Sequence, residues 1–179
     1  MHREDGFTLI ELMSVIALSL ILLTLSAGSM RSYWLNQQLS GAAGEVRSQL
    51  RQLQERTVSE SHPNVYGVRF RVGTSSWGVL DYNPTITASH PAATCTDTPM
   101  TFSSSVKVSV ASFTVPSGSE AANIVNLCKS SIPGAGSDQM MLFFARGTAT
   151  PGSVSLTHPL VGRSKTLTVS AITGRVDGP

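Results

Sequence analysis

One carboxylate stands where a carboxylate is costly. From Phe7 to Met30 the chain reads FTLIELMSVIALSLILLTLSAGSM, 24 residues whose single charge is Glu11. On insertion scales a charge at the centre of a membrane helix costs about 2.5 to 3.5 kcal/mol, so a chain that keeps one there usually supplies a partner for it. The plainer reading is that Glu11 snorkels to the interface or is protonated. Cys95 and Cys128 are the two thiols; they allow one disulfide, or two free buried thiols, and exclude a four-cysteine zinc site or an iron–sulfur cluster built from this chain alone. The histidines, His2, His62, His90 and His158, share no ligand-like spacing, and the last three each precede a proline, which holds its predecessor extended. No metal site and no cofactor is expected. Serine is plentiful, but neither a Gly-x-Ser-x-Gly elbow nor a glycine-rich phosphate loop occurs. No catalytic residue is assigned, and an enzyme is not expected.

The elements that position these residues follow from the apolar pattern. As a helix, 24 residues span roughly 36 Å, enough to cross a bilayer. Arg31, Tyr33 and Trp34 come directly after, a cation and two amphipathic aromatics suited to a headgroup region. An ordinary secretory signal has a shorter core and a small-x-small cut site; the best candidate here, cutting after Ala27, puts Leu25 where a small residue belongs. Beyond the apolar run, Leu39, Ala43, Val46, Leu50, Leu53 and Thr57 recur at intervals of three and four, with Arg47, Arg51, Glu55 and Arg56 on other faces. No proline precedes Ser61, so one helix is expected from Phe7 to about Glu60. Gly28 is its expected place to bend, and Gly41 and Gly44 read equally as close packing or as flexibility.

After His62-Pro63 the pattern changes to alternation broken by turn residues. Residues 66–72, 77–82, 106–115, 139–145, 152–158 and 165–171 read as strands, and Ala121 to Leu127 as a short helix or strand. The expectation is α+β, one long helix packed against an antiparallel β domain. Charged residues are 13% of the 179, against a typical value of about 25%, and 41% are hydrophobic, which excludes a charge-rich disordered chain. The net charge of +2 is too mild to argue for nucleic acid by itself. From His62 onward, eight basic residues face five acids.

Gly6-Phe7-Thr8-Leu9-Ile10-Glu11-Leu12-Met13 resembles the class III signal and mature start of type IV pilins and pseudopilins. The resemblance implies that a prepilin peptidase cuts after Gly6 and methylates the new amino-terminal Phe7. It also implies that Glu11, the fifth mature residue, pairs with a neighbouring subunit's amino terminus and so marks register in the membrane. The leader MHREDG is less basic than leaders of that family. In the carboxyl half, Leu142-Phe143-Phe144-Ala145-Arg146-Gly147, Gly152-Ser153-Val154-Ser155-Leu156, Leu167-Thr168-Val169-Ser170 and Gly174-Arg175-Val176 resemble the closing strands of the GspH/FimT family of minor pilins and pseudopilins. DNA-uptake members of the FimT kind close on Gly-Arg-x-Arg. Here Gly174-Arg175-Val176-Asp177 puts an acid at the second arginine, which repels phosphate. Arg175, Arg163 and Lys165 are the candidate DNA contacts, and a solvated charge remains the favoured reading of Arg175.

The organisation implied is a leader at 1–6, a transmembrane helix at 7–30, an amphipathic helix at 31–61 and a GspH/FimT-like β domain at 62–179. The function implied is a minor pilin or pseudopilin subunit, processed by prepilin peptidase and assembled with other subunits by the pilus machinery into a type IV pilus or type II secretion pseudopilus. Before processing it would cross the inner, cytoplasmic membrane once, with its amino end cytoplasmic and its β domain outside. There Cys95 and Cys128 would meet conditions in which a disulfide persists. Two alternatives stand beside this: a DNA-binding minor pilin for natural transformation, and an exported β-domain protein with an ordinary signal peptide. Nothing in residues 81–137 resembles a known pattern.

Overall fold

A computed structural model describes residues 8–60, 64–84, 93–102 and 105–178, with the side chains of residues 25–29 outside that description. The first element, α1 (Leu9–Ser59), is helical without interruption through Gly28, Gly41 and Gly44. Among the described residues eight strands and a second helix follow: β1 (Val65–Phe70), β2 (Ser76–Asn83), β3 (Thr94–Thr101), β4 (Lys107–Phe113), α2 (Glu120–Ser131), β5 (Gln139–Phe143), β6 (Gly152–Thr157), β7 (Ser164–Val169) and β8 (Val176–Asp177). They form two four-stranded antiparallel sheets, ordered β3-β2-β1-β5 and β4-β6-β7-β8.

The lower half of α1 is built to lie on these sheets. Leu39, Ala42, Ala43, Val46, Leu50, Leu53 and Thr57 are all buried, one stripe of a helix whose opposite face carries Arg51 and Glu55. The stripe packs into a core shared by both sheets: Tyr66, Val68 and Phe70 of β1, Trp77 of β2, Val108 and Phe113 of β4, Met141 and Phe143 of β5, Leu156 of β6 and Leu167 of β7. Thr57 satisfies its buried hydroxyl by donating to the Leu53 carbonyl at 2.6 Å. The close-packing reading of Gly41 and Gly44 fails within this chain, because a Cβ built on either meets no atom within 4 Å.

Strand β1 is buried along its whole length, and its alternation divides the domain. Tyr66, Val68 and Phe70 face α1, whereas Val65 joins a second core with Leu80, Met140, Leu142 and the α2 residues Ile124, Val125 and Cys128. The first sheet is therefore covered on one face by α1 and on the other by α2. Ser119 caps α2 by accepting from the Ala122 amide at 3.2 Å, and α2 buries Ala121, Ile124, Val125 and Cys128. Residues 121–127 are thus helix and not strand. β3 and β8 lie where no strand was expected, and Val72, Val115, Ala145, His158 and Ala171 fall beyond the strand ends.

Candidate functional site

The amino-terminal part of α1 leaves the domain altogether. Leu9, Ile10, Leu12, Met13, Val15, Ile16, Leu18, Leu20, Ile21, Leu22 and Leu23 are eleven large apolar side chains, each between 52% and 76% exposed. Fully burying one such side chain is worth about 1.5 kcal/mol or more, and these are half to three-quarters exposed, so the set gains on the order of 10 kcal/mol by leaving water. That outweighs the cost of one carboxylate several-fold. An apolar surface of this extent on a single helix marks a contact with lipid or protein. Among the described residues no helix is long and apolar enough to cross a membrane. The expected span 7–30 includes Phe7 and the side chains of residues 25–29, which lie outside them.

Glu11 has a local role that the sequence reading missed. Thr8 is the N-cap of α1: its hydroxyl accepts from the Glu11 amide at 3.3 Å, and the Glu11 carboxylate accepts from the Thr8 amide at 3.2 Å and from the Thr8 hydroxyl at 3.2 Å. This reciprocal capping box satisfies backbone donors that an open helix end leaves orphaned. Thr8-x-x-Glu11 before an apolar run was the legible signal. The leader 1–6, Gly6 and Phe7, and with them the expected cut, lie outside the described residues, as do His2, His62 and His90.

The structure does not gather the candidate DNA contacts into one basic face. Arg175 Nε donates to Asp177 Oδ1 at 2.8 Å, both side chains largely exposed. Asp177 thus neutralises the cation that the closing motif offers. Gly174, the other half of that motif, has φ +58°, and a Cβ there would press on the Gly147 carbonyl and Gln54. Gln54 of α1 donates to the Thr173 carbonyl at 2.8 Å. The motif holds a turn against α1. Lys165 lies on β7 opposite Leu156 of β6, and Arg163 lies in the loop before β7, close to Arg31 of α1.

Cys95 of β3 and Cys128 of α2 form a disulfide with α-carbons 5.2 Å apart. Beside it is a charge cluster that one sequence could not reveal. Arg69 donates to Asp138 at 2.5 Å and also to Asp97, while Arg71 donates to Asp138 at 3.1 Å and to the Gly134 carbonyl at 2.9 Å. Asp138 is 1% exposed and Arg69 is 7%. Burial opposes the charge on Arg69, yet the hydrogen bonds to Asp97 and Asp138 hold its pKa above the ordinary guanidinium range. Gly78 makes room for this network, since a Cβ there would collide with Asp97. The cluster ties β1, β3 and the loop before β5 together, and its cations are already matched by acids.

At the far end of α1, Arg56 lies 4.3 Å over the Tyr66 ring and donates to Glu60 at 2.7 Å, and the Tyr66 hydroxyl donates to the same carboxylate. Burial, with the Glu60 bond adding to it, pushes the Tyr66 phenol above its usual range. Among the described residues no group of three His, Cys, Asp or Glu side chains is arranged to hold a metal ion. His158 is 1% exposed and accepts from the Leu160 amide through Nδ1 at 3.3 Å.

The family model for the prokaryotic N-terminal methylation motif matches residues 1–27. In structure the chain is similar to the minor pseudopilin EpsH from the type 2 secretion system of Vibrio cholerae. One solved EpsH structure aligns over 79% of this chain and 96% of that one, with a TM-score of 0.50 and 14% identity. A second aligns over 79% and 93%, with a TM-score of 0.50 and 13% identity. No protein of curated function matches in sequence. The likeness at this identity is one of fold, a long helix on antiparallel sheets. The motif is thus shown for residues 1–27 and the likeness to EpsH for the fold.

Proposed function

We propose that the chain is a minor pilin or pseudopilin subunit, held in the membrane by its amino-terminal helix and then packed by that helix into a type IV pilus or type II secretion pseudopilus. One observation carries the reading: the methylation motif opens a continuous helix whose first sixteen residues expose only side chains that water disfavours, apart from Glu11 and a few hydroxyls and alanine. In this reading residues 1–6 are a leader and 7–30 span the inner membrane once, while 31–61 and 62–179 form the amphipathic helix and the β domain outside. Hydrolysis of the Gly6–Phe7 peptide bond by prepilin peptidase leaves an ammonium on Phe7, and methylation keeps that amine basic. Glu11 of one subunit then meets the Phe7 ammonium of another. Each charge is costly alone in hydrocarbon, so the pair favours one axial offset.

The alternatives have less behind them. A DNA receptor would need free cations at the closing turn, where Arg175 is paired with Asp177. A secreted protein cut after Ala27 would be severed in the middle of a helix that continues to Ser59. Intact-mass measurement of the protein from its native membrane tests the reading: the expected product starts at methylated Phe7, and Gly6→Leu accumulates uncut. A product starting at Gly28 would replace the pilin reading with the secreted one.

A further inference from the structure

Seven residues from two elements line one groove at the point where the apolar stretch of α1 ends. Arg31, Ser32, Leu35 and Asn36 come from α1; Leu160, Val161 and Arg163 come from the loop joining β6 to β7, and the groove encloses about 480 Å³. The loop is folded on itself by a buried residue. The amides of Val161 and Gly162 donate to the His158 carbonyl at 3.1 and 3.2 Å, and the Leu160 amide donates to the His158 ring. With His158 fixed inside the domain, Leu160 is thrust outward and is 66% exposed. Met30, Tyr33 and Trp34 are exposed on α1 at the same level of the helix. Among the described residues no carboxylate pairs with Arg31 or Arg163.

We propose that this groove takes the phosphate of an anionic phospholipid headgroup, so that the β6–β7 loop rests on the bilayer beside the helix that anchors the chain. The inference builds on the membrane-anchored reading above and adds a second contact to it. Guanidinium groups bind phosphate oxygens through paired N–H donors, and two of them from different elements converge here. Lipid is favoured over nucleic acid or an acidic protein by what surrounds the cations. The groove is continuous with the apolar end of α1, two interfacial aromatics lie at its level, and the exposed Leu160 lines it together with the two arginines. A loop tethered in this way fixes the tilt and rotation of the β domain over the membrane before the subunit is extracted into a filament.

The bonded state of Cys95 and Cys128 makes the test simple, because Leu160→Cys then carries the single reactive thiol. The full chain is placed in lipid nanodiscs, a fluorophore is attached at Leu160→Cys, and quenching by headgroup spin-labelled lipid is measured in neutral phosphatidylcholine and with phosphatidylglycerol added. Ser117→Cys, near Glu120, is the control, since Glu120 shares a cavity with Asn64 and Val65 just past the far end of α1. We expect quenching at position 160 in anionic discs, reduced to the control level by Arg31→Gln with Arg163→Gln and retained in Arg163→Lys. Equal quenching in both lipids, unchanged by the arginine variants, would overturn the headgroup site. So would an unquenched label on a chain that has entered the disc. Failure of the chain to enter discs at all would overturn instead the reading on which the proposal rests. An arginine-dependent response to inorganic phosphate or to short duplex DNA in neutral discs would reassign the groove to a free anion or to nucleic acid.

Discussion

Thr8 and Glu11 close the start of α1 on each other, the hydroxyl accepting from the Glu11 amide at 3.3 Å and the carboxylate from the Thr8 amide at 3.2 Å. In a lone subunit, then, the acid proposed to find a partner on a neighbour is already occupied by its own helix end. Docking must exchange these bonds for the neighbour's ammonium. Two functions of one side chain, capping and charge, become separable by mutation.

Glutamine keeps a capping carbonyl and discards the charge, whereas alanine discards both. Glu11→Gln is expected to insert with its helix start intact and to fail in filament incorporation. Glu11→Ala is expected to lose, in addition, the reciprocal cap on the Thr8 amide, seen as faster amide exchange over the first turn. Filament assays with both variants decide it. Normal incorporation of Glu11→Gln removes the register role, and a defect in alanine alone makes Glu11 a cap and nothing more.

Asp138 is expected to be the most sensitive charged position of the β domain. Replacing it with Asn leaves Arg69 buried with Asp97 as its remaining carboxylate, and removing one partner of a buried pair costs about 3 to 5 kcal/mol. The surviving Asp97 contact places the loss near the lower figure. Asp177→Asn breaks only an exposed pair and should change stability by less than about 1 kcal/mol. Denaturant melts of the two variants compare them directly, and equal losses would deny the cluster its structural weight.

What could be read from residue order follows from the range of each interaction. The buried stripe Leu39 to Thr57 was legible because helical periodicity repeats it within a few residues. β3 was not: TCTDTPMT buries only Cys95, and Pro99 inside it argues against a strand until its place at a sheet edge is known. α2 was ambiguous for want of reading Ser119 as a cap ahead of Ala121, Ile124, Val125 and Cys128. Arg69 and Asp138 are 69 residues apart, and no local pattern announces such a pair. Of the candidate site, the apolar run and its acid were legible, while the cap beneath the acid went unread. Within the middle of the chain, β3 buries one side chain and α2 buries four.

That difference locates the effect of the disulfide. In the entropy model a bridge across about 33 residues contributes roughly 3 to 4 kcal/mol. With the bridge reduced, α2 still buries Ala121, Ile124 and Val125, whereas β3 loses its one buried anchor. Mild reduction is therefore expected to raise amide exchange and proteolysis first in β3, with β6 and β7 protected. Two thiols titratable in the unreduced, denatured protein would refute the bridge.

Alkaline pH should weaken the fold through Tyr66. Burial holds its phenol protonated above the usual range, and the bond it donates to Glu60 adds to this. From the ordinary phenol pKa of about 10 up to the folded value, the unfolded chain releases a proton that the folded chain keeps. Stability is thus fully present below that window and falls as pH rises through it. Tyr66→Phe deletes the titrating group while keeping the ring under Arg56, so the variant is expected to be less stable at neutral pH, by about 1 kcal/mol for the lost hydrogen bond, with a flatter alkaline limb. Denaturation midpoints of both proteins from neutral to strongly alkaline pH supply the comparison. Parallel curves would mean that the loss of stability arises elsewhere, and that the Tyr66 hydroxyl, however placed against Glu60, is not what alkali disturbs.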